Sequence, residues 1–205
     1  MSASTAIGMV SESLRNLLVR EMALDIEVNV TILAPDEAGP DPRINLFLYK
    51  IMESSTLRNL DWQPSRSAPN TVTPPPLSLN LYYLMTPYAT NDAQTGNATA
   101  HMVLGEAMRV FYENPILRTA ADAPPILVDG LADAREQIKI TLNTLDVEEL
   151  SQLWGTFSQP YRLSVLYEVS VVQLDPLPAA ARPIANRVRR IGVPEVRAPY
   201  RPPVV

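Results

Sequence analysis

The sequence predicts an α+β fold (α/β mixed). It reads as a single domain with a mixed β-sheet of about five strands, covered by about three helices, and an extended C-terminal tail. Three observations predict it. Apolar residues recur at helical spacing in three segments. They alternate, or run together, in five others. Proline and arginine gather after residue 178. With 205 residues, 46% of them hydrophobic, the chain is long enough to bury one substantial core.

Residues 5–24 carry Ile7, Val10, Leu14, Leu17 and Leu18 on one helical stripe. Ile26, Val28, Val30 and Ile32 then alternate with Glu27, Asn29 and Thr31, which predicts a strand with one buried face. Residues 34–42 form a turn-rich loop, and 43–52 are apolar on both faces, as in a central strand. From 54 to 76 the pattern dissolves into Ser, Asn, Thr and Pro. Because proline lacks a donor N–H, this stretch reads as a long surface loop and a candidate contact, leading into a strand at 77–86.

Residues 97–113 return to helical spacing through Val103, Leu104, Ala107 and Phe111, and Pro115 blocks continuation. A strand at 136–142 places Ile138, Ile140 and Leu142 on one face. Asp146 with Glu149 predicts a capping box, opening a helix that buries Leu150, Leu153, Trp154 and Phe157. The last strand, 163–174, alternates through Leu163, Val165, Tyr167, Val169 and Val171.

The chemistry is sparse. There is no cysteine, hence no disulfide and no thiolate ligand or nucleophile. The glycines form neither phosphate-binding motif, and no Gly-x-Ser-x-Gly elbow is present. His101 is the one histidine. It falls on a helix beside the core stripe and reads as structural or surface-exposed. Glu148 and Glu149 suit a helix N-terminus, while Asp129, Asp133 and Glu136 read as solvated. The expectation is no enzyme, no catalytic residue, no cofactor and no metal. No apolar run reaches the ~20 residues that cross a bilayer, and the first ten residues lack a signal peptide's basic and apolar regions. A product of the cytoplasm that does not engage a membrane is expected.

Proline, at 20 residues, and charge asymmetry mark the tail. Beyond residue 178 lie Arg182, Arg187, Arg189, Arg190, Arg197 and Arg201 against Glu195 alone, a charge of +5. The remaining 11 basic and 21 acidic residues give the body −10. Two parts are therefore expected, a domain at 1–178 and an extended arm at 179–205. The six arginines are candidate contacts for an acidic partner, such as a neighbouring body of the same kind. Phosphate binding is the rival reading of the arm, weakened by the acidic body, and nucleic acid is not expected as a partner.

Four segments carry a resemblance: NLFLYKI at 45–51, PPPLSLNLYYLMTPYA at 74–89, HMVLGEAMRVF at 101–111, and LDVEELSQLWGTFSQPYRLSVLYEVSVV at 145–172. Together, over residues 5–175, they resemble the N-terminal domain of cap, or tail-terminator, proteins of extracellular contractile injection systems. These are phage-tail-like particles of the virulence-cassette and anti-feeding-prophage type. The resemblance implies a homo-hexameric ring that ends the inner tube, holds the last ring of sheath protein, and works in a particle outside the cell. It carries over no catalytic residue. Sheath subunits of such particles exchange extended arms, which suggests the same use for residues 179–205. The alternative within the same class is another tail-completion or baseplate adaptor component.

Overall fold

The computed structural model describes residues 5–64, 71–89, 97–117, 137–157 and 159–176, together with the backbone of 182–183. Helix α1, Ala6–Glu21, buries Val10, Leu14, Leu17 and Leu18 completely, as the stripe predicts. Strands β1 (Asn29–Thr31), β2 (Arg43–Glu53), β5 (Leu77–Tyr88), β6 (Ile116–Leu117), β7 (Ile138–Asn143) and β8 (Val165–Leu174) form one sheet in the order β1-β2-β5-β8-β7-β6. Only β1 runs parallel to its neighbour, so the sheet is mixed.

Register sorts the side chains onto two faces. Leu46, Leu81, Tyr83, Met85, Tyr167 and Val169 join the core under α1 and α2 (Ala98–Glu113). Phe47, Leu84 and Leu166 point the other way, where α3 (Val147–Thr156) lays Leu150 and Trp154 on them. Over its first half strand β2 is buried on both faces, but not apolar on both as expected, because Arg43 and Asn45 share the face of Phe47; Lys50 to Glu53 are exposed. The capping box of Asp146 and Glu149 opens α3, the Asp146 N–H donating to Glu149 Oε2 at 3.3 Å. Leu150 and Trp154 are buried, while Leu153 and Phe157 pack at the edge of their cluster.

The structure corrects four details. The first predicted strand shrinks to three residues, leaving Ile26 and Ile32 exposed. Beyond Thr31 a side chain replaces the ladder: Asn45 accepts from Leu33 N–H at 2.9 Å and donates to its carbonyl at 2.8 Å. In β8 the alternation changes phase. Leu81 opposes Val169, but Leu79 opposes Val172, so an extra residue turns Val172, not Val171, into the core. Leu142 and Leu163, predicted to face inward, are about half exposed at the strand ends. Finally, the 54–76 loop contains β3 (Gln63–Pro64) and β4 (Thr71–Thr73). With β9 (Arg182–Pro183) they form a second sheet, ordered β3-β4-β9. Both prolines sit on its edge strands, where proline is tolerated. Two-residue strands carry no periodicity, and for the same reason β6 was not foreseen.

The edge at β1 is closed by a side chain. Arg15 of α1 donates through Nε to the Val30 carbonyl at 3.0 Å.

Candidate assembly surface

The predicted arm enters the described structure only at its root. Arg182 lies in β9, whose backbone pairs with Val72 of β4. Arg187, Arg189, Arg190, Arg197 and Arg201 lie outside the described residues, as do Asp129, Asp133 and Glu136. The pairing of β9 with β4 joins the two segments that sequence marked as candidate contacts, the 54–76 loop and the arm. Neither segment carries a periodic signal that could have announced it.

Three surface features stand out, each built by a different part of the fold. At the end of the main ladder near β3 and β4, Ile51, Met52, Leu60, Trp62 and Leu77 are all more than a third exposed. At the opposite end a cavity of about 380 Å³ is lined by Pro87, His101, Tyr161, Arg162 and Leu163 among others. Next to the lining residues Pro87 and Ala89, the ring of Tyr88 meets the guanidinium of Arg43 at 3.9 Å and that of Arg162 at 4.9 Å. Arg43 is itself buried. It holds the 34–42 loop through Gly39 O at 2.7 Å and Asp41 Oδ1 at 2.8 Å. A Cβ on Gly39 would approach the Arg43 guanidinium carbon to 3.3 Å and Leu33 Cδ1 to 3.0 Å, so a side chain there would require both to shift by a few tenths of an ångström.

His101 is an exposed residue on the second turn of α2, and its backbone N–H completes the helix on Asn97 O. Among the described residues no group of three or more His, Asp or Glu is placed to hold a metal, and no helix is long and apolar enough to cross a membrane.

The third feature is a cleft of about 200 Å³ between the C-terminal end of α1 and the 22–28 connector, lined by Leu18, Val19, Met22, Ile26, Glu27 and Val30 among others. Its shape depends on how the connector is fixed. Glu106 of α2 accepts from the Ala23 N–H at 2.8 Å and from Arg109, while Arg109 donates to the Glu21 carbonyl and to Glu113. The guanidinium and the backbone N–H hold the Glu106 carboxyl far below its ordinary range, at about 2, and the two carboxylates raise Arg109. This clamp ties the last turn of α1 to the middle of α2.

None of the curated proteins matches the chain by sequence. In fold it is similar to the sheath/tube terminator of PVC, an extracellular contractile injection system, in its extended state. Identity is 18%, the TM-score 0.59, and the match covers 86% of this chain and 58% of that one. It is also similar to the tube-terminating cap of the anti-feeding prophage, at 16% identity and a TM-score of 0.51, covering 86% of this chain and 56% of that one. The chain thus spans less than three fifths of either structure's length. A family model described as the Pvc16 N-terminal domain matches residues 9–186, from α1 through β9, and the chain belongs to that family.

Proposed function

We propose that the chain is a structural cap, ending the inner tube and holding the last sheath ring at the distal end of a phage-tail-like contractile particle. One observation carries this reading. Over 86% of its length the chain is similar in fold, at a TM-score of 0.59, to a protein that terminates sheath and tube in such a particle. A tube grows because its head-to-tail interface never closes along the axis, so ending it is a matter of surfaces rather than of catalysis.

In this reading six copies form a ring on the last tube ring, and the ring works in a particle outside the cell. The arm ties each copy to acidic surface on its neighbour through Arg187, Arg189, Arg190, Arg197 and Arg201. Arg182 anchors the arm's root. Twenty-two residues beyond Pro183 span about 68 Å when extended at ~3.1 Å each, enough to cross a neighbouring domain.

The test is electron microscopy of particles assembled without the gene. Abnormal tube and sheath lengths, or early contraction, restored by adding the protein back, support the cap. Particles of normal length with intact distal ends overturn it.

A further inference from the structure

We infer that the cleft between α1 and the 22–28 connector is the receptor for the arm of a second copy, which inserts Val188 or Ile191 there. The inference rests on the arm reading above and supplies its docking site.

Aliphatic side chains make up most of the residues that line the cleft, which is open to solvent and exposes backbone polar groups as well. Val19 and Ile26 are exposed apolar side chains on its rim, 58% and 39% accessible. Cavities of about 150 Å³ lined by aliphatic groups take up a benzene-sized guest, so about 200 Å³ matches one or two branched side chains. Among the cleft's lining residues the one charged side chain is a carboxylate. Glu27 lines the cleft, Asp25 lies two residues before it, and neither has a cation partner among the described residues. The complementary object is an aliphatic side chain bracketed by cations.

The arm contains that object. Val188 lies between Arg187 and Arg189, and Ile191 follows Arg190, in a stretch from Ile184 to Val193 that contains no proline. Arginine is suited to the task because its weakly hydrated guanidinium reaches a carboxylate while its stem covers apolar surface. A second copy, rather than the same one, is favoured by the root of the arm. Strand β4, which holds β9, is separated from the first residue of β5 by Pro74, Pro75 and Pro76, whereas the cleft flanks β1, at the start of β2 and the end of β5. Along β5 these ends, Leu77 and Tyr88, are eleven residues apart, about 37 Å at ~3.4 Å per residue. Val188 and Ile191 lie only about 16–25 Å beyond Pro183 at ~3.1 Å per residue. An arm given by each copy to the next is a heterologous contact, the kind that closes a ring.

Because the chain has no cysteine, a disulfide trap reports this contact alone. Full-length Val19→Cys protein is mixed with full-length Val188→Cys or Ile191→Cys protein and oxidised. The expected result is a disulfide-linked pair from the mixture, with yield falling about tenfold when Arg187, Arg189 and Arg190 are changed to Glu. It should fall again at high salt. Linkage confined within single chains carrying both cysteines overturns the second-copy assignment, and no linkage with either arm cysteine overturns the cleft. Ending the chain after Pro183 separates this failure from that of the arm itself. Particles weakened by the truncation, with no disulfide trapped, retain the arm and discard the cleft. Particles unaffected by it overturn the arm reading on which the inference rests.

Discussion

On one face of the sheet, α1 and α2 cover a continuous core that runs from Ala6 to Val172; on the other, α3 stands over four buried residues, Leu84, Leu150, Trp154 and Leu166. The first face is also tied by polar contacts that reach between elements. Ser11 of α1 bonds the hydroxyl of Tyr83 at 2.8 Å, in a site so enclosed that burial pushes the phenol up to about 12. Glu106 and Arg109 fix the end of α1 to α2. The second face has an edge-to-face contact of Trp154 with Phe157, at 6.1 Å, but the Trp154 Nε1–H is buried without an acceptor among the described residues. The difference teaches that more of the contacts that fix the fold lie on the first face, so α3 is the layer expected to loosen first.

The sharpest way to break this comparison is a truncation in each layer. Phe111→Ala removes a ring that meets Tyr167 edge-on at 4.9 Å in the larger core, and is expected to lower global stability by about 3–5 kcal/mol. Urea unfolding should show the full loss in a single transition. Trp154→Ala is expected to cost about 3 kcal/mol, at the low end of the same range, because α3 can settle into the gap. Its signature is local: amides of 147–157 lose hydrogen-exchange protection while those of α1 and α2 keep theirs. Equal loss of protection in all three helices would abolish the distinction between the faces.

Smaller changes refine it. Ser11→Ala leaves the Tyr83 hydroxyl buried and unpartnered, at about 1–3 kcal/mol, and adding Tyr83→Phe should recover most of that loss. Strict additivity in the double-mutant cycle would show that the bond contributes nothing. Asp146→Ala removes half of the capping box and should cost about 1 kcal/mol, read as fraying of α3 by exchange at its first turn. The least effect comes from acid. The Glu106 carboxyl sits at about 2 in the folded chain against an ordinary 4.5, so its contribution is complete above 4.5 and is lost as pH falls from there towards 2. The unfolding midpoint followed through that window should slope less in Glu106→Gln than in the parent.

The same contrast explains what the sequence discloses. Helices α1 and α2 and the long strands are legible because burial imposes a period, 3.6 or 2, over ten residues or more. Legibility ends where another force sets the geometry. At Leu33 the Asn45 amide replaces the ladder, and in β8 an extra residue shifts the phase between Val169 and Val172. In β3, β4 and β9 two or three residues pair without any pattern. The candidate surface is harder still. The arm stands out by composition alone, and Val19, Ile26 and Leu142 look in sequence like the core residues beside them. An aliphatic side chain is the same letter whether it faces the interior or a partner.

The contact between Arg15 and the Val30 carbonyl has a consequence for crowding. Wherever copies of one chain are packed side by side, each meets its neighbours' sheet edges at an effective concentration far above that in solution. A bare strand edge under those conditions recruits another, and ordered assembly gives way to aggregation. Here the outward carbonyl at the centre of β1 is already occupied, and the strand is only three residues long. One occupied carbonyl and a strand of three residues make β1 a poor template for the edge of a neighbouring copy.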